Sequence, residues 1–172
     1  MHKKALLLFL IIAFFYLQPL FHPGFYLSHD GENHVVRFGA YVKAFADGQV
    51  PPRFAGDLNF GYGSVVFNFF YPLPGYIASF LYFLGFSLED SFKIIAGLSF
   101  VTAPIFFFLW TSLFLKKEVA FTASLLYGFA PYHFLNLYVR GGVAELLALS
   151  LIPFVFLFLE KASKKVDFKF VV

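Results

Sequence analysis

Cysteine is absent from the 172 residues, so there is no disulfide, no thiolate nucleophile and no Cys-based metal site. Charge is scarce. Asp, Glu, Lys and Arg together make up 13% of the chain, about half the share of a typical soluble domain. No Walker, HExxH or Ser-His-Asp pattern is present. What fills the chain instead is hydrocarbon: 60% apolar residues, 23% aromatic, with 29 phenylalanines. A soluble globule of this size cannot hide that much Phe and Leu, so a cytosolic enzyme, a nucleic-acid-binding domain and a disordered protein are excluded. The net charge of +3 comes from lysines outside the apolar runs, which read as topology signals and not as a phosphate-binding surface.

A bilayer core needs roughly 20 mostly apolar residues per helix. Four runs satisfy this, at about 5–22, 92–115, 119–139 and 143–160, with residues 23–91 between the first two. The first run follows Met1-His2-Lys3-Lys4 and lacks a small-x-small cleavage site, so it reads as a retained anchor. Within 23–91, Val35, Phe38, Val42 and Phe45 recur at helical spacing opposite Asp30, His34, Arg37 and Tyr41, which predicts an amphipathic surface helix stopped by Asp47-Gly48 and Pro51-Pro52. A second helix from Pro74 to Gly85 is roughly 18 Å long, too short to cross.

The expected fold is therefore all-α, a polytopic membrane protein of about four transmembrane helices with two external interfacial helices. With the N-terminus cytoplasmic, eight Lys and Arg residues lie inside and five outside. The inside set is Lys3, Lys4, Lys116, Lys117, Lys161, Lys164, Lys165 and Lys169; the outside set is Arg37, Lys43, Arg53, Lys93 and Arg140. A five-span arrangement with the N-terminus outside scores nine to four but places Lys3-Lys4 on the wrong side of the first helix. The expected location is the cell membrane, with membrane lipids as partners and no nucleic acid. Phe168-Lys169-Phe170-Val171-Val172 reads as the start of a further span, so the chain is expected to be the N-terminal part of a larger protein.

Two external loops hold the polar chemistry. Asp30 admits two readings, an N-cap for the following helix or a general base beside the bilayer. Glu32, with His29 and His34 nearby, adds carboxylate and imidazole donors that suit a hard divalent cation such as Mg or Mn. Glu145 stands one turn inside a span, where a carboxylate needs a partner or a function. Arg140 precedes it by five residues across Gly141-Gly142. That arrangement reads as an interfacial salt bridge, or as a second catalytic carboxylate with Arg140 on a phosphate and the glycine amides facing an anion. His133 reads as a packing histidine, and Tyr62, Tyr71 and Tyr76 as an aromatic belt.

The order of these parts resembles the N-terminal module of the GT-C membrane glycosyltransferases, and most closely the prokaryotic membrane family labelled "6-pyruvoyl-tetrahydropterin synthase-related". The residues that carry the resemblance are His29-Asp30-Gly31-Glu32-Asn33-His34, Phe67-Asn68-Phe69-Phe70-Tyr71-Pro72-Leu73-Pro74 and Tyr138-Val139-Arg140-Gly141-Gly142-Val143-Ala144-Glu145. The label does not imply pterin chemistry, because no zinc-binding histidine set is present. The resemblance implies transfer of a sugar from a polyprenyl-phosphate donor at the outer membrane face. It implies catalytic carboxylates at Asp30, Glu32 and Glu145, a base or metal-binding role for Asp30 and Glu32, and substrate contacts from His34, Arg37 and Arg140. The alternative from a different class is a transporter fragment or a non-catalytic membrane subunit.

Overall fold

A computed structural model describes residues 2–163. Lys164, Lys165, Lys169 and the apolar run at the C-terminus lie outside the described residues. Among those described the fold is all-helical, with a single isolated bridge between Ala55 and Ser64. Helix α1 (His2–Leu17) continues into a 3-10 turn (Gln18–Phe21). It is followed by α2 (Gly31–Ala46), α3 (Leu73–Phe83), α4 (Leu88–Thr111), α5 (Lys117–Gly128), α6 (Pro131–Phe134) and α7 (Val143–Ser163). Between α6 and α7 the residues Leu135–Arg140 wind as a π-helix.

Helix α4 is the hub and packs against α1, α2, α3, α5 and α7. Its start is set by Ser87, whose Oγ accepts from the Asp90 amide at 3.0 Å, an N-cap that answers one of the orphan first-turn donors. Small side chains on its buried faces, Ala96, Ser99 and Ala103, let neighbouring backbones come close. Phe92 and Phe100 fill the spaces between, with Phe38, Leu137 and Leu146 completing the main core. Buried Ser99 satisfies its hydroxyl on the Ile95 carbonyl.

Among the described residues, two helices are long and apolar enough to cross a membrane, α4 with a mean hydropathy of 2.0 and α7 with 2.1. Only 28% of the apolar stretch of α7 is buried, and Ile152, Val155, Phe158 and Leu159 all face outward. Leu7, Phe14 and Phe15 of α1 are likewise more than half exposed.

Two expectations need correction. The run 119–139 is not one straight helix. It breaks after Gly128, and Pro131 opens a new short helix, because proline lacks the amide that would continue α5. Helix α2 also buries a face turned from the one its hydropathy suggested: of that stripe Phe38 is buried, while Val35, Val42 and Phe45 are half-buried. Gly31, His34, Tyr41 and Ala44 are buried beside Phe38. The aromatic rings decide this: His34 and Phe38 stack toward Phe92 of α4, and Tyr41 lies on Phe67 with centroids 4.1 Å apart. So α2 is docked on α3 and α4 and is not a helix resting alone on a surface. Helix α3 is short, as its prolines suggested. It ends where Phe86 donates back to the Leu81 carbonyl across Gly85 at φ 101°.

Candidate functional site

The two polar loops meet. Ser28–Gly31 leads into α2 and docks on the turn that ends the π-helix. His29 donates to the Val139 carbonyl at 2.9 Å and Asp30 to the Arg140 carbonyl at 2.8 Å. The junction depends on Gly141, which has φ 68°, and a Cβ there would lie 2.7 Å from both the Gly31 nitrogen and Ser28 Oγ. Tyrosine hydroxyls stitch the same region. Tyr26 donates to the Leu137 carbonyl at 2.6 Å, and Tyr138 donates to the Tyr16 carbonyl at the end of α1. These reach carbonyls where the π-helix and the 3-10 turn depart from regular α-helical pairing.

Glu145, in the first turn of α7, is held through one oxygen. Arg140 Nη1 donates to its Oε2 at 2.8 Å and Tyr132 donates to the same oxygen at 2.5 Å. Arg140 Nη1 also reaches Asn136 Oδ1 at 3.1 Å. The Gly141-Gly142 amides do not face an anion, contrary to the sequence expectation. Both turn inward to the Asn136 carbonyl, which closes the π-helix.

Asp30 is the opposite case. It occupies the N-cap position of α2, yet its side chain makes no capping bond. The Gly31 amide is taken by Ser28 Oγ at 3.2 Å instead. Among the described residues no donor is paired with the Asp30 carboxylate, which is exposed. Of its two sequence readings, the cap is not realised.

His34 follows Asp30 by one turn and points inward, only 4% exposed, with Nε2 3.4 Å from the Tyr71 hydroxyl. Burial, and then the charge of Arg37, hold its imidazole down at about 4, while Asp30 pulls the other way. His34 is thus neutral near pH 7, so it can meet a substrate only as a neutral hydrogen-bonding group and not as a cation. Arg37 lays its guanidinium 3.8 Å from the Phe70 ring centroid, a cation–π contact that fixes the plane of the group.

Tyr71 is the site residue that sequence reasoning placed elsewhere, in an aromatic belt. Burial raises its pKa, and its hydroxyl feels Arg37, Glu145, Asp30 and Arg140 together. Its one side-chain hydrogen-bond partner among the described residues is His34 of α2. Nothing local in the sequence signals this, since only the fold brings residue 71 to residue 34.

The metal expectation at Asp30 and Glu32 does not fit. Two positions apart at a helix start, their side chains diverge by roughly 200°. His34 is turned into the core, and among the described residues no three His, Asp or Glu side chains gather as a ligand set. Glu32 stands exposed in the first turn of α2 and favours the helix dipole there. The space between His34, Arg37, Tyr71 and Gly75 is closed to about 10 Å³, whereas a groove of about 600 Å³ lies apart between α1 and α4.

No protein-family model matches the chain, and no solved structure matches it. It is similar to an uncharacterized protein of Lactococcus lactis subsp. cremoris (strain MG1363), at 28% identity over 167 residues, covering 94% of this chain. The chain spans 27% of the length of that relative.

Proposed function

We propose that this chain is the N-terminal module of an integral membrane glycosyltransferase of the GT-C kind, which transfers a sugar from a polyprenyl-phosphate donor at the outer face of the membrane. The observation that carries the reading is the docking of the Asp30 loop on the Arg140 turn. It joins the loop that carries an unpartnered carboxylate to the turn that carries a guanidinium whose Nη2 and Nε have no partner among the described residues. In the proposed step the acceptor hydroxyl attacks the anomeric carbon and Asp30 takes its proton. The bond from that carbon to the phosphate oxygen breaks, and the phosphate leaves with the electron pair, its charge met by Arg140. The configuration inverts.

Four crossings with the N-terminus in the cytoplasm complete the proposal. The apolar stretch of α1 from Ala5, with its 3-10 turn, runs about 28 Å, close to a bilayer core of roughly 30 Å. Residues 117–140 form a broken third crossing, which membranes accept where neighbouring helices cover the break. The outward apolar faces of α1 and α7 support this. An impermeant thiol reagent applied to single-cysteine variants should miss Lys117→Cys from outside, and labelling there would refute the orientation.

A second reading is favoured by one observation. Glu145 and Arg140 pair their charges with each other, as they would in a non-catalytic membrane subunit. The deciding assay uses the full-length protein in membrane vesicles with a labelled polyprenyl-phosphate sugar. Asp30→Asn should lower transfer by about 10²–10⁴-fold. Near-normal transfer by both Asp30→Asn and Glu32→Gln would leave the subunit reading standing.

A further inference from the structure

The groove of about 600 Å³ between the C-terminal end of α1 and α4 belongs to neither loop of the proposed site. Its walls are hydrocarbon, among them Leu17, Leu20, Ile94, Leu98 and Val101. Leu20 packs over Gly97, where a Cβ would lie 3.4 Å from it, and the groove follows α4 from Asp90 to Val101. At one end stands Lys93, only 8% exposed. Its ammonium donates to the His22 carbonyl at 2.8 Å and to nothing else among the described residues. An ammonium has three donors, so two N–H groups and a full positive charge remain at the head of an apolar channel. A buried lysine is costly unless paired. Asp90 shares that end but is exposed, held by the Ser87 hydroxyl at 2.7 Å, and makes no ion pair with Lys93.

We propose that this groove is a binding site for an anionic phospholipid of the surrounding bilayer, one acyl chain lying along α4 and the phosphate received by Lys93. Each half of the site selects one half of the ligand. The apolar walls take a chain and reject a free phosphate ion, while the ammonium prefers an anionic headgroup to a zwitterionic one. A soluble anion lacks the chain. The proposal rests on the membrane reading above, but not on glycosyl transfer, so the two fail separately. Loss of membrane insertion is scored first, by flotation with vesicles.

The test places a photoreactive benzoylphenylalanine at Leu98, an exposed groove position, in the full-length protein. The protein is reconstituted into vesicles of equal phosphatidylglycerol and phosphatidylcholine, and cross-linked lipid is identified by mass spectrometry. Phosphatidylglycerol adducts should exceed phosphatidylcholine adducts about fivefold, the discrimination expected of one lysine at the lipid surface. Lys93→Gln should bring the ratio to one, and Lys93→Arg should retain the preference, which separates lost charge from lost fold. Equal adducts in the unmodified background would overturn the proposal, as would a preference that survives Lys93→Gln. Cross-links to protein would mean another helix fills the groove. Displacement of phosphatidylglycerol by added undecaprenyl phosphate at lower concentration would assign the groove to an isoprenoid instead.

Discussion

The carboxylates Asp30 and Glu145 open two helices at the same end of the molecule, and their surroundings differ completely. Glu145 receives Arg140 and Tyr132 on one oxygen. Asp30 receives no donor among the described residues, although its backbone is fixed to the Arg140 carbonyl. A carboxylate wrapped in donors is stabilised as an anion and made a poor base. One held in place by its backbone, with its oxygens open, can accept a proton from an incoming hydroxyl. In the proposed reading Glu145 is structural and Asp30 carries the chemistry, although both look alike as acidic residues at a helix start.

The most disruptive way to break the comparison is to separate the two loops. Gly141→Ala puts a methyl against the Gly31 backbone and a side chain at positive φ. It should cost about 1–3 kcal/mol of stability and abolish transfer, read by thermal unfolding in detergent beside the vesicle assay. Unchanged stability would mean that the loops do not meet as described.

Acidification tests the wall between them. His34 is neutral in the folded protein and its pKa is held at about 4, below the unfolded value of 6.5. The unfolded chain therefore binds the extra proton more readily. This contribution to stability is fully present above about pH 6.5 and is lost as the pH falls toward about 4. His34→Phe should flatten that part of the stability profile.

Tyr71→Phe removes the hydroxyl that faces His34. It should cost less than about 1.5 kcal/mol of stability and lower transfer more than stability alone explains, since the ring stays in place. Equal losses in the two readouts would make Tyr71 a packing residue only. The smallest expected effect is that of Glu32→Gln on folding. Glu32 has no partner among the described residues and only a dipole interaction to lose, about 0.3–1 kcal/mol.

Much of this arrangement is legible in residue order. The stop after Asp47-Gly48, the short helix behind Pro74 and the start of α7 follow from local chemistry that tertiary contacts do not override. The convergence of Asp30 with Arg140 follows from loop placement once a topology is assumed. Three features are not legible. The buried face of α2 is chosen by ring contacts with Phe92 and Phe67, and a hydropathy pattern counts His34 as polar. The break after Gly128 had a signal in Pro131, but the unbroken apolar composition around it reads as one span. The role of Tyr71 and the groove at Lys93 depend on elements far apart in the chain, which no local pattern carries.

The assignment of chemistry to Asp30 and structure to Glu145 is tested most directly by measuring transfer and thermal stability on the same preparations of the full-length protein carrying Asp30→Asn or Glu145→Gln. The account predicts that Asp30→Asn loses transfer by about 10²–10⁴-fold with an unchanged unfolding midpoint. Glu145→Gln should lower the midpoint by a few degrees and keep a measurable share of transfer. The reverse pattern, with stability falling in Asp30→Asn and transfer vanishing in a fully stable Glu145→Gln, would contradict it.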